Sequence, residues 1–334
     1  MQNIRVAPDQ KGFVLTPSGE RFVAWGQNYG LQGFGGPTDQ SWAKTESDLK
    51  DLQGLGANVI RIHLQFPQFM DAPGVANPQA LDRLSHLLKR CEKHRIYVDI
   101  TGLACYRPDD RAGWYDALAT EERWQVQAKF WEAIARTCRN SPAVFCYDLM
   151  NEPILSGKRS EGWYTGRLGG YDFLQRLSLD EPNRSGDDIA RSWTHTLATA
   201  IRREDTTHMI TVGELPMWGL SLQAIAPHLD FIAVHIYPSS GKVPAAIANL
   251  KQFDIGKPVV VEETFPLACG VDDEATFLLE SRGIACGWIG QYPDQSPAEL
   301  RSLKASGKIS PVQKQFLDWI DLFKKLGPAM VSTR

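Results

Sequence analysis

Residues 143–153 read AVFCYDLMNEP, an apolar run that ends abruptly in an amide, a carboxylate and a proline. A strand buried on both faces has such a near-continuous apolar run, which is typical of a parallel sheet covered by helices. Pro153 lacks an N–H group and should end the strand, so we expect Asn151 and Glu152 at its carboxyl end. An unpaired carboxylate there is costly when desolvated. The stretch therefore predicts either a chemical role for Glu152 or the plain opening of a loop or helix.

Apolar runs recur on both sides of this stretch and alternate with helical patterns. The turn signal TPSG at residues 16–19 predicts an N-terminal β-hairpin that leads into the first strand, and residues 154–186 form a long loop after the fourth. About eight βα units in about 310 residues favour an α/β fold, a closed (β/α)8 TIM barrel, over an open doubly wound sheet. The later strands are predicted at residues 58–64, 96–101, 143–150, 209–212, 231–236, 258–261 and 284–289.

Composition limits the classes of function that need consideration. The chain has 334 residues, 43% hydrophobic residues and a net charge of −3, which suits a single barrel domain over residues 1–334. This charge is too small and too scattered to indicate nucleic acid or a membrane surface as a partner. No apolar run reaches the length of a membrane span, about 18 to 20 residues. We therefore expect neither nucleic acid nor a membrane among its partners.

Motifs for cofactors and metals are missing from the sequence. There is no GxGxxG or P-loop after the first strand, and no HExxH among the seven histidines. The six cysteines follow neither a disulfide nor a zinc spacing. We expect no cofactor and no metal. The first eight residues contain no apolar leader, so we expect a cytoplasmic location if the sequence is complete and a secreted or periplasmic one if a leader was trimmed.

Acidic residues recur at the predicted carboxyl ends of strands four, five and seven. Residues 257–263 read KPVVVEE and repeat the pattern of residues 143–153, an apolar strand that ends in acidic residues. Active sites of barrels lie at this end of the strands. Two carboxylates that face each other across a cavity are what glycoside hydrolysis needs: one protonates the leaving oxygen, and the other attacks the anomeric carbon.

These motifs resemble those of the cellulase-type glycoside hydrolases, family 5 and its clan of retaining (β/α)8 glycosidases, over nearly the whole barrel. The resemblance to the family's Asn-Glu-Pro implies that Glu152 is the acid/base and that Asn151 holds the sugar's 2-hydroxyl. In the family the nucleophile lies five residues after the strand-seven proline, which selects Glu263. The expected mechanism is double displacement with retention of configuration on a β-linked oligo- or polysaccharide.

The resemblance also implies four supporting residues. Arg61 matches the strand-two arginine that steadies the nucleophile, and His235 and Tyr237 match the His-x-Tyr of strand six, whose tyrosine hydrogen-bonds the nucleophile. Trp288 is similar to the strand-eight tryptophan beneath the sugar in the cleaved subsite. Thr101 stands where family members usually have a histidine, and the Glu-Glu of strand seven is frequent in the mannan-cleaving branch. We therefore expect a gluco- or manno-configured substrate, with the mannan-cleaving branch favoured.

Each assignment has an alternative. Glu262 could be the nucleophile, although alternation along a strand sends neighbouring side chains to opposite faces. Arg61 could be a structural ion pair, His235 a core imidazole and Trp288 part of the barrel packing, while Glu214 could line the cleft. Aromatic residues that could stack on sugars or pack a loop are Trp163, Tyr164, Tyr171 and Trp218.

Two other functions use the same features. A non-catalytic carbohydrate-binding barrel would need one acid turned away, and a transglycosylase would use both acids with a sugar as acceptor. The sequence leaves open the polysaccharide and its linkage, internal or terminal attack, and the oligomeric state. The hydrolase hypothesis requires Glu152 and Glu263 to share one pocket, roughly 5–5.5 Å apart.

Overall fold

The computed structural model describes residues 1–30, 41–217 and 219–332. Eight parallel strands close into a barrel, in the order β13, β14, β15, β16, β4, β5, β8, β9, which confirms the predicted fold. In chain order the strands are β1 (Asn3–Val6), β2 (Phe13–Thr16), β3 (Arg21–Phe22), β4 (Ala24–Asn28), β5 (Val59–Gln65), β6 (Met70–Ala72), β7 (Val75–Ala76), β8 (Tyr97–Ala104), β9 (Val144–Asn151), β10 (Pro153–Gly157), β11 (Tyr164–Leu168), β12 (Tyr171–Leu179), β13 (Met209–Glu214), β14 (Ile232–His235), β15 (Val259–Glu263) and β16 (Gly287–Gln291).

Amphipathic helices cover the outside of the barrel. In one of them, Pro78–His94, the buried positions Leu84, Leu87, Leu88 and Cys91 follow the helical spacing, and the Asn77 side chain caps the N-terminus. The helices are α1 (Trp42–Gly54), α2 (Phe66–Phe69), α3 (Pro78–His94), α4 (Gly113–Asp116), α5 (Thr120–Cys138), α6 (Gly186–Glu204), α7 (Leu222–Ile225), α8 (Val243–Lys251), α9 (Val271–Ser281), α10 (Pro297–Ala305) and α11 (Pro311–Val331).

A small antiparallel sheet, β1–β2–β3, closes the barrel at the amino-terminal ends of its strands. Its Phe13 ring contacts the rings of Phe145 and Phe231 edge-on, each at a centroid distance of 5.2 Å. A buried aromatic side chain stabilises a fold by about 1.5–3 kcal/mol. The predicted hairpin is therefore the β2–β3 part of a three-stranded plug, and the opposite end of the barrel carries the polar residues.

The segment after the fourth barrel strand, β9, is not the irregular loop that its sequence indicated. It forms a three-stranded sheet in the order β10–β12–β11. Turns with glycines of positive φ at Gly162, Gly169 and Gly170 separate the strands, so no single alternation extends through the segment. The guanidinium of Arg123 lies 3.4 Å from the Tyr115 ring centroid and 4.3 Å from that of Trp163, which fixes this sheet to the barrel's helices.

Within the residues that the structure describes, no helix has the length and apolar character of a membrane span. All six cysteines are free thiols, and Cys91, Cys105, Cys138 and Cys146 are buried. They contribute small apolar side chains to the packing.

Candidate active site

Glu152 follows β9 directly and Glu263 ends β15, and the two side chains approach each other at this rim of the barrel. A carboxylate oxygen of each lies within 4.8 Å of the other and of a ring nitrogen of His235. Their side chains are 14% and 11% exposed, whereas the Glu262 side chain is fully buried. Glu263, and not Glu262, therefore reaches the cleft beside Glu152.

A bulge in β15 explains why two consecutive glutamates both point into the barrel. Val234 pairs with Val261, but His235 pairs with Glu263, so the register between β14 and β15 shifts by one residue at Glu262. The strict alternation that was expected to separate Glu262 from Glu263 is therefore broken at this point. Arg61 contacts both side chains, at 3.4 Å from Glu262 and 2.6 Å from Glu263.

Arg61 lies fully buried beneath the cleft and joins β5 to β9 and β15. Its Nη1 donates to Glu263 Oε1 at 2.6 Å, and its Nη2 donates to Asp148 Oδ2 at 2.8 Å and to Asn151 Oδ1 at 3.1 Å. The guanidinium is thus both an ion pair of the barrel interior and a direct partner of the predicted nucleophile. The carboxylates of Glu262, Asp148 and Glu263 outweigh its burial and raise the pKa of Arg61.

His235 lies between three carboxylates. Its Nδ1 is 2.8 Å from Glu152 Oε1 and 3.6 Å from Glu263 Oε2, and its Nε2 is 3.3 Å from Glu262 Oε2. Burial lowers the pKa of His235, but the charge of Glu263 and the hydrogen bonds to Glu152 and Glu262 raise it to about 10. An imidazolium in this position can donate from both ring nitrogens.

Glu263 is held ionised by its neighbours. Tyr237 donates its hydroxyl to Glu263 Oε2 at 2.6 Å and accepts from Gln291 Nε2 at 3.1 Å. Burial raises the pKa of Glu263, but the His235 and Arg61 cations and the Tyr237 hydroxyl outweigh it and leave the pKa below its ordinary value. The arrangement suits a carboxylate that must attack as an anion.

Asn151 turns its amide toward the β9 end of the cleft. Its Oδ1 accepts from Arg61, and its Nδ2 donates to the Phe173 carbonyl of β12 at 3.3 Å. The next residue, Glu152, has φ = 47°, and its N–H donates to the Gly213 carbonyl. A positive φ is uncommon for a residue with a side chain, and here it turns Glu152 away from the strand toward the cavity.

Trp288 is not beneath the sugar site, and this prediction was wrong. The ring is 3% exposed and packs outside the barrel, where its Nε1 donates to Ser281 Oγ of α9 at 2.8 Å. Side chains alternate along β16, so that Ile289 and Gln291 face the interior and Trp288 faces the helices. The alternative of barrel packing is the correct one for this residue.

Three other candidates from the sequence, Glu214, Trp163 and Tyr164, make structural contacts. Glu214 is 1% exposed and accepts the N–H of Leu220 at 2.7 Å, so it holds the turn after β13. Trp163 donates to the Asp116 carbonyl, and Tyr164 lies against Arg111 and Arg123. Tyr171 lies beside Phe173 on β12. Trp218 lies outside the described residues.

Several site residues escaped the sequence analysis. Asp148 accepts from Arg61, from Thr101 Oγ1 at 2.7 Å and from the Gly213 N–H at 2.8 Å. Asp99 lies beside it and beside Glu262. The signal was present, because Asp99 and Asp148 are acids in the middle of apolar strands, where an unpaired charge would be strongly unfavourable.

Two clusters of three residues have the spacing of metal ligands. The upper cluster is Glu152, His235 and Glu263, and the lower cluster is Asp99, Asp148 and Glu262. The cations Arg61 and His235 already contact members of both groups. Their negative charge is therefore met by protein side chains, and we assign no metal to either group.

A protein-family model described as cellulase, glycosyl hydrolase family 5, matches residues 20–254. Mannan endo-1,4-beta-mannosidase A from Podospora anserina is 24% identical over 221 residues, which cover 56% of this chain and 51% of that protein. The enzyme of the same name from Emericella nidulans is 23% identical over 247 residues, 64% of this chain and 57% of that one. The chain thus spans about half the length of the curated relatives it matches.

Solved structures share the fold over nearly the whole chain. The endo-1,4-beta-mannanase from Rhizomucor miehei superposes with a TM-score of 0.65 at 15% identity, covering 97% of this chain and 99% of that one. The beta-mannanase from the blue mussel Mytilus edulis superposes with a TM-score of 0.61 at 16% identity, covering 98% and 96%. These likenesses support the barrel architecture.

Proposed function

Because the chain belongs to the cellulase family, glycosyl hydrolase family 5, we propose that it is a retaining β-glycoside hydrolase that cleaves β-linked mannans. Glu263 is the nucleophile and Glu152 the acid/base. The observation that carries the proposal is the facing pair of carboxylates, within 4.8 Å of each other at the mouth of the barrel. Retaining enzymes have a separation of about 5–5.5 Å, and inverting ones need room for a water molecule between the acids.

The first step is the attack of Glu263 on the anomeric carbon. Arg61 and Tyr237 each donate to one oxygen of Glu263, at 2.6 Å, which holds the carboxylate as an anion and fixes its direction. Glu152 protonates the departing oxygen as the glycosyl–enzyme bond forms. In the second step Glu152 removes a proton from water, and the water displaces Glu263 with net retention of configuration.

The sugar is positioned by groups around this pair. Asn151 is fixed by Arg61 and by the Phe173 carbonyl, which leaves the second N–H of its amide to donate to the 2-hydroxyl of the sugar. Mannan is the preferred substrate class because the curated relatives from Podospora anserina and Emericella nidulans are named mannan endo-1,4-beta-mannosidases. Gluco-configured chains are the second class to test, since the family model is that of the cellulases.

The test is covalent trapping combined with product analysis. A 2-fluoro-mannoside with a good leaving group should inactivate the protein, and fragment sequencing of the labelled peptide should place the sugar on Glu263 and not on Glu262. NMR of early products from mannan oligosaccharides should show the β-anomer. Glu263→Ala should lose turnover, and azide should restore part of it with a good leaving group.

A matched control is Glu280→Ala, which removes an exposed carboxylate of α9 and should keep the wild-type rate. A label on Glu262, a product of inverted configuration or full activity in Glu263→Ala would each contradict the proposed roles. Tight binding of mannan oligosaccharides without any turnover would contradict hydrolysis and indicate a carbohydrate-binding barrel.

A further inference from the structure

A second layer of carboxylates lies below the cleft and has no part in the steps above. We call Asp99, Asp148 and Glu262 the lower carboxylates. All three are fully buried, and one oxygen of each lies within 4.8 Å of the others. Arg61 contacts Asp148 and Glu262 from above, so the layer sits directly beneath the proposed nucleophile.

The lower carboxylates differ in their hydrogen-bond donors. Asp148 accepts from Arg61, Thr101 and the Gly213 N–H. Glu262 Oε2 contacts Arg61 and His235, and its Oε1 has no donor among the described residues. Neither oxygen of Asp99 has a hydrogen-bond donor among those residues, and its neighbours are the Glu262 carboxyl and the Cys146 thiol. Two buried carboxylates within 4.8 Å of each other favour a state in which one of them keeps a proton.

We propose that Asp99 carries this proton and donates it to Glu262, so that Glu262 remains an anion and holds His235 as an imidazolium. Glu262 and Asp99 are then positioning residues, since neither reaches the cleft. The imidazolium donates from Nε2 to Glu262 and from Nδ1 to Glu152, which fixes the acid/base relative to Glu263. The catalytic consequence rests on the proposed function, but the charge state itself does not.

The electrostatic surroundings support this location of the proton. Burial and the charges of Glu262 and Asp148 raise the pKa of Asp99 well above its usual range. Burial also opposes ionisation of Glu262, but Arg61 and His235 lower its pKa below the ordinary value. The two groups are thus driven in opposite directions, as expected for a pair with one proton.

The charge states of the other groups that face Asp99 and Glu262 follow from their surroundings. Asp148 has a pKa raised to about 6, because burial and Glu262 outweigh Arg61 and Thr101. Burial, together with Arg61, lowers the pKa of His63, so this ring is neutral, and the Cys146 thiol next to Asp99 stays protonated because burial raises its pKa. Arg61 and His235 are therefore the cations of the layer within the described residues.

The test compares two isosteric substitutions, one of Asp99, which carries the proton, and one of Glu262, which accepts its hydrogen bond. Asp99→Asn replaces the proposed donor by an amide N–H and should leave Glu262 ionised. Glu262→Gln removes the anion that faces His235. In protein labelled with ¹⁵N-histidine, the His235 signals, assigned from His235→Asn, should show both ring nitrogens protonated at pH 8 in wild type and in Asp99→Asn. In Glu262→Gln the pKa of His235 should be lower than in the wild type by about one unit or more.

Infrared difference spectroscopy gives a second readout that does not need Glu262→Gln to fold. The spectrum of the wild type minus that of Asp99→Asn, both recorded at pH 9, should contain one band of a protonated carboxyl group. Absence of that band, a neutral His235 in the wild type, or loss of the imidazolium in Asp99→Asn would each overturn the proposal. So would an unchanged His235 titration in Glu262→Gln. These measurements use the resting protein without substrate, so failure of the hydrolase proposal would leave their outcome unaffected.

Discussion

Arg61 joins both layers of the site through the two arms of one guanidinium group. Nη1 contacts Glu263 and Nη2 contacts Asp148 and Glu262, so the side chain is shared between chemistry and barrel packing. A buried ion pair is costly to break from one side, because the partner charges are left without compensation. Substitution of Arg61 would therefore confound stability with activity. Tyr237, whose hydroxyl donates to Glu263 Oε2, offers a cleaner test.

Tyr237→Phe should lower kcat on a mannan oligosaccharide about 10- to 100-fold. The change removes one hydrogen bond to a charged group, worth about 1.5–3 kcal/mol, and each 1.36 kcal/mol is about tenfold in rate. Steady-state kinetics measure the effect. Tyr292→Phe is the matched control, because the buried Tyr292 hydroxyl has no hydrogen-bond partner among the described residues. Equal losses in both variants would contradict the role of Tyr237.

At this scale the sequence predicts residue types at strand ends better than side-chain directions. Glu152, Glu263, Arg61, His235 and Tyr237 come together because parallel barrel strands bring their carboxyl ends to one rim. Trp288 was misplaced because the strand position alone does not reveal which face a side chain takes. Asp99 and Asp148 were missed because their partners come from other strands.

Among the structural elements, two irregular strand pairings shape the site. The register shifts between β14 and β15 at Glu262 and between β9 and β13 near Gly213. The first brings Glu262 and Glu263 to the same face, and the second places Asp148 and Asn151 on one nitrogen of Arg61. Bulges depend on the partner strand, so the apolar pattern of a single strand contains no sign of them. The sheet β10–β12–β11 was missed for a related reason, since each of its strands forms only through pairing with another strand.

Gly213→Ala should reduce activity at least about tenfold and destabilise the fold by about 1–3 kcal/mol. A Cβ at Gly213 would lie 2.8 Å from both Glu262 Oε2 and His235 Nε2, so it would push apart the contact that orients His235. Activity assays and urea unfolding measure the two effects. Gly54→Ala, at the end of α1, is the control because its Cβ would meet nothing within 4 Å. Unchanged kinetics in Gly213→Ala would contradict this account.

On the scale of the whole molecule, buried acids couple folding to pH. Burial raises the pKa of Glu214 to about 8 and that of Glu274 to about 7, each from 4.5, and the charges around His235 raise its pKa to about 10 against the opposing effect of burial. The folded protein therefore holds protons that the unfolded chain releases. The stabilisation from the two glutamates is complete below about pH 4.5 and is lost as the pH rises through 7 and 8.

Glu214→Gln should make the free energy of unfolding depend less on pH. A glutamine cannot ionise and can still accept the Leu220 N–H, so the variant should exceed the wild type in free energy of unfolding by up to about 5 kcal/mol at pH 9 and match it near pH 4.5. Urea unfolding at several pH values measures the difference. Glu280→Gln, which changes an exposed glutamate of α9, should follow the wild-type curve. A parallel curve for Glu214→Gln would show that Glu214 does not titrate in this window.

The three-stranded plug at the amino-terminal rim has a practical consequence. Its exposed turn at residues 17–20 lies at the end of the barrel opposite to Glu152 and Glu263. A cysteine introduced at Ser18 could tether the protein to a bead or a sensor chip through this turn. A molecule tethered there would present its cleft outward to a long insoluble polymer in the surrounding fluid.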